Sequence, residues 1–204
     1  LKPSSFLHAQ AFVIDDCPPC QERSDSLEAL VKFGNLEGIL PYRSIDSLVD
    51  CLARNACFLD GSRILSATST RAIYRNDYSN LIVYATRGYE WAVDHRGQIE
   101  DTDYANAVHN YAVMKFKTGN YQRAIELEKE SLALEIASRD NDVAVGIGLE
   151  LMGFSYQALG DYELARSYFE QDLYRLETAE GKRGTHSGRG YWEIGSLHRA
   201  KGDL

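Results

Sequence analysis

A chain of 204 residues, 44% of them hydrophobic, is long enough to bury a core of its own. No run approaches eighteen consecutive apolar residues, so no membrane-spanning helix is expected. A formal charge of −8 repels phosphate and argues against nucleic acid as a partner. Residues 121–180 hold that excess, with thirteen Asp and Glu against five Lys and Arg. Residues 181–204 reverse the sign but are too few to change the balance.

Residues 1–23 carry three of the four prolines and are read as an irregular segment. The opening LKPSSFLHAQAFVIDD has one Lys and a broken apolar run, unlike a signal peptide, and the missing initiator Met points to a cropped chain. Next comes DDCPPCQERSD, with Cys17 and Cys20 two residues apart. A redox dithiol needs a thiolate at a helix N-terminus inside a βαβ sheet, and no later segment supplies that sheet. Zinc needs four convergent ligands. Cys51 and Cys57, read as lying on one helix, would project about 600° apart along it and could not share a metal. The cysteines are therefore expected to be reduced and buried around a structural turn, in a cytosolic or nuclear compartment.

Residues 24–34 predict a short helix, with Ser24 as cap and Gly34 as stop. After Pro41, residues 44–61 predict a second, with Ile45, Leu48, Val49, Leu52, Ala53 and Ala56 in a stripe and Asp60–Gly61 ending it. Gly34 lies 42 residues before Asn76, which makes residues 24–61 a degenerate first repeat.

The rest of the chain repeats. Gly119, Gly160 and Gly202 stand 41 and 42 residues apart, and Asn76 stands 43 residues before the first of them. The repeats are assigned to 62–100, 101–140 and 141–180, with 181–204 holding the first helix of another. In the clearest copy Leu149, Met152, Gly153 and Tyr156 form one helical stripe. Gly160 supplies a left-handed stop, Asp161 caps the next helix, and Tyr162, Ala165, Phe169 and Leu173 form its stripe. Neither helix hides its stripe alone, so neighbours must stack.

This pattern resembles the tetratricopeptide repeat (TPR). The resemblance rests on Gly153, Tyr156, Gly160, Asp161, Tyr162 and Ala165 in one copy, and on Ala112, Gly119, Asn120, Tyr121 and Ala124 in another. The period exceeds the usual 34 residues, as in the lengthened repeats of kinesin light chains, cell-polarity adaptors and bacterial peptide-sensing regulators. Lys115, Glu128 and Leu81 depart from the pattern. The resemblance implies an all-α, right-handed α-solenoid of antiparallel helical hairpins, with the first helix of each hairpin on a concave face. That face would be a peptide-binding groove lined by Asn106, His109, Asn110, Val113, Phe116 and Lys117, then Glu150, Phe154 and Gln157, then Arg189, Trp192, Glu193 and Arg199. Asn110 occupies the slot where many such proteins grip a ligand backbone. The carboxylate clamp used for chaperone tails is absent, since Ser66, Thr70, Ile147 and Leu151 stand at four of its five positions.

Residues 12–25 are also similar to the cysteine-rich tail after a SET methyltransferase domain, with Asp15 where the first cysteine would stand. That likeness implies the helical C-terminal region of a larger enzyme. Within the chain, His8, His95, His109, His186 and His198 are scattered, and no HExxH or GxSxG occurs. GKRGTHSGRG does not match a phosphate-binding loop. The expected function is a non-catalytic scaffold with a protein or peptide partner and no cofactor or metal. The alternatives are that methyltransferase region and a peptide-sensing regulator.

Overall fold

The computed structural model describes residues 17–22, 42–138, 142–180 and 185–201. The helix expected over 24–34 and the turn at Gly202 lie outside them. A 3-10 turn at Pro18–Cys20 precedes eight helices: α1 (Tyr42–Arg54), α2 (Phe58–Tyr74), α3 (Tyr78–Asp94), α4 (Asp101–Lys117), α5 (Tyr121–Ser138), α6 (Asp142–Ala158), α7 (Tyr162–Glu180) and α8 (Thr185–Lys201). Among the described residues there is no strand.

The spacing seen in the sequence is the spacing of one repeated turn. Asn76, Gly119 and Gly160 take φ of 53°, 82° and 82°, and each closes a first helix. The amide of the next residue donates back to the carbonyl five residues earlier: Asp77 to Ala72 at 3.0 Å, Asn120 to Lys115 at 2.8 Å, Asp161 to Tyr156 at 3.0 Å. The same three residues cap the following helix, their side chains accepting from the amides of Asn80, Arg123 and Leu164. Asparagine at position 76 works because its short polar side chain tolerates the left-handed region that glycine enters freely.

The hairpins α2/α3, α4/α5 and α6/α7 stack in chain order, and the first helices α2, α4 and α6 also touch one another in succession. Aromatic rings fill the spaces beside small residues. Tyr89 stacks on Tyr111 at 4.4 Å between ring centres, and Tyr156 on Tyr168 at 5.4 Å. Phe169 lies so close to Gly153 that a Cβ there would strike its ring.

The first hairpin differs from the sequence expectation. The helix expected over 44–61 ends at Arg54, Ala56 turns at φ 56°, and a new helix starts at Phe58 and runs straight through Gly61. Gly61 is buried and does not act as a stop. The Trp91 indole occupies the space its side chain would need and donates to Phe58 O at 2.9 Å.

That turn also corrects the cysteine reading. Cys51 sits in α1 and Cys57 at the N-cap of α2, so both face the CPPC turn. Cys17 is bonded to Cys57 and Cys20 to Cys51, with Cα separations of 5.9 and 6.0 Å. Cys17 and Cys20 are completely buried in one cluster with Ile45, Leu48, Leu52 and Leu65. Asn55 knits the site, donating to Cys51 O at 2.9 Å with its amide nitrogen 3.8 and 3.7 Å from Cys20 and Cys51 Sγ. None of the four cysteines is free. The expectation of reduced thiols is corrected accordingly.

Candidate functional site

The residues singled out on the first helices separate by burial. Asn106, Lys117, Trp192 and Arg199 are exposed. His109, Phe116, Glu150, Phe154, Gln157 and Arg189 are partly covered. Asn110, Val113 and Glu193 are buried.

Local packing explains the division. Asn110, 4% exposed, donates to Ser66 O at 3.1 Å and accepts from Thr70 Oγ1 at 3.3 Å, tying α4 to α2. Its amide is therefore used within the stack. Val113 belongs to a core cluster with Val108, Ala112 and Leu127. Phe116 tilts against Tyr121 and carries the Lys117 ammonium 5.8 Å from its ring centre. Phe154 meets Phe169 edge-on at 5.1 Å. Trp192 alone among these aromatics presents most of its surface, at 60% exposure.

A chain of buried charge runs beneath α4, α6 and α8. His109 Nδ1 lies 2.9 Å from Glu128 Oε2. Burial opposes protonation of that ring, but Glu128, with Glu135 and Glu150 further off, outweighs it and raises its pKa above the usual value. Burial also raises Glu135. Further on, Arg189 Nη2 lies 3.2 Å from Glu150 Oε2 and 3.7 Å from Asp172 Oδ2, and its Nε lies 3.4 Å from Glu193 Oε1. Burial pushes the Asp172 carboxyl up to about 6 against the pull of Arg189. Burial and the neighbouring Glu150 push Glu193 well above the carboxylate range. Two glycines on α6 make room for these acids. A Cβ at Gly146 would lie 2.7 Å from Asp172 Oδ1, and one at Gly148 would strike Glu128.

Sequence reasoning named His109, Glu150, Arg189 and Glu193 but missed Asp172 and Glu135, and it read Glu128 only as a departure from the repeat pattern. The signal was position: Asp172 falls three residues after Phe169, on the buried stripe of α7. Among the described residues no group of three or more His, Cys, Asp or Glu is arranged to hold a metal ion, and no helix is long and apolar enough to cross a membrane.

No protein-family model matches the chain, and no curated protein matches it in sequence. Solved structures do match. BtubC (BKLC) from P. vanneervenii superposes with a TM-score of 0.60 at 13% identity, covering 91% of this chain and 84% of that one. A point variant of a putative kinesin light chain with nearly identical TPR-like repeats, from Podosopora anserina, gives 0.60 at 12%, covering 91% and 88%. A further structure of that kinesin light chain gives 0.58 at 12%, covering 91% and 89%. At such identities the likeness speaks to fold alone, and with the repeated turn it shows that the described residues form an all-helical, TPR-like solenoid.

Proposed function

We propose that the protein is a non-catalytic scaffold that holds a polypeptide in the trough formed by its first helices. The supporting observation is the Trp192 indole, left mostly in solvent on α8 while most other large side chains of the first helices are at least partly covered. Exposed Asn106 and Lys117 on α4 and Arg199 on α8 give the same wall hydrogen-bonding and charged groups. Aromatic anchors flanked by polar groups are what a few-residue binding hot spot requires.

The test is panning of a random nonapeptide library against the full chain, followed by affinity measurement on a selected peptide. Trp192→Ala is expected to weaken it about thirtyfold, as loss of an aromatic anchor does. Tyr174→Ala, which removes a comparably exposed ring on the second helix α7, is expected to leave binding unchanged. Equal losses from both, or a library from which nothing binds, would overturn the reading.

A further inference from the structure

Three carboxylates at the junction of α6, α7 and α8 share a single guanidinium, that of Arg189. Asp172 and Glu193 are completely buried, and none of their four carboxylate oxygens accepts a hydrogen bond of normal geometry. The Asp172 carboxylate lies against the α6 backbone at Gly146, where helical amides are already used. The imbalance extends through the stack. Glu128 and Glu135 on α5 face His109 on α4, so five acids stand against two bases, with Arg175 of α7 adding a weaker pull on Asp172. Burial meets part of that shortfall by keeping a proton on Glu193, and the remaining carboxylates leave the site receptive to positive charge.

Of the three acids around Arg189, Glu150 reaches solvent. Trp192 lies three residues beyond Arg189, one helical turn along α8, and is 60% exposed. An accessible carboxylate, a negative field behind it and an exposed indole together suit an organic cation. The acids are not arranged for a metal ion, whereas a planar guanidinium already fits between them.

We propose that this end of the trough anchors a basic side chain, arginine or lysine, of the bound polypeptide, paired with Glu150 and resting on Trp192. The proposal depends on the polypeptide-binding reading above and assigns that partner's chemistry. An acidic peptide would meet like charge here and be rejected.

The experiment uses the same nonapeptide library on the full chain. Bound peptides are expected to be enriched in Arg or Lys at one position, and replacing that residue by Ala to cost about tenfold in affinity. Glu150→Gln is expected to weaken the basic peptide about tenfold and leave its Ala form unaffected, which a general loss of folding would not do. Affinity for the basic peptide alone should fall as pH drops from 8 to 5 and the cluster takes up protons. Peptides that bind with no basic preference, or a Glu150→Gln effect equal on both forms, would overturn the anchor and leave the trough reading intact. A library from which nothing binds would sink the trough reading and the anchor with it.

Discussion

Removing the two disulfides one at a time and then together should give losses that do not add. The bridges are nested, with sequence separations of 31 for Cys20–Cys51 and 40 for Cys17–Cys57. Loop-closure entropy gives about 3.7 kcal/mol for the inner bridge alone at 25 °C. Once it is closed, the outer bridge shuts only the three residues from Cys17 to Cys20 and the six from Cys51 to Cys57. A circuit of about nine residues is worth about 2.6 kcal/mol, so the pair contributes about 6 kcal/mol. Losing one bridge leaves the other, worth about 4 kcal/mol by itself, so each single removal costs only about 2.5 kcal/mol. The Cys17→Ser/Cys57→Ser and Cys20→Ser/Cys51→Ser variants should therefore look alike, and the quadruple variant should lose more than their sum. The assay is urea unfolding read through Trp91, which packs on Phe58 in the hairpin the bridges tie down. Four titratable thiols in the denatured wild type, or single losses that sum to the quadruple loss or exceed it, would refute the reasoning.

Two glycines in helices should respond oppositely to alanine. At Gly153 the new methyl meets the Phe169 ring and should cost about 1–3 kcal/mol, whereas at Gly195 nothing lies within 4 Å and helix stability should rise by about 0.5–1 kcal/mol; thermal melts of both variants check this. Asp172 titrates higher in the folded chain than its usual 3.8, at about 6, so the stability it permits below pH 4 is lost as pH rises through 6. Glu193 and His109, also raised, act in the same direction. Melting temperature should accordingly be lower at pH 8 than at pH 5, and Asp172→Asn should raise it at pH 8 and flatten the profile. Asn110→Ala removes two bonds between α4 and α2 and should cost about 1–2 kcal/mol in urea unfolding.

What the sequence revealed, and what it hid, follows from which interactions are local. The turns at 76, 119 and 160 were legible because a left-handed residue followed by a capping Asp or Asn is written in adjacent positions. Gly61 misled because glycine ends a helix in one context and admits a neighbouring ring in another, and only Trp91, thirty residues away, decides between them. Ala56 gave no warning, since alanine rarely adopts positive φ. The cysteine pairing was invisible for the same reason: placing the break after Arg54 brings Cys51 and Cys57 to one side, while an unbroken helix keeps them apart. On the candidate wall, helical position alone could not tell an exposed indole from an asparagine consumed by the helix next door.

The cross-links all lie between residues 17 and 57, and the stack from α3 onward has none. Under tension, the hairpins after Cys57 would pay out their length freely, while the clasped stretch would hold back about 140 Å of contour. Only a reductant would release that reserve, so the scaffold couples how far it can be drawn out to the redox state of its surroundings.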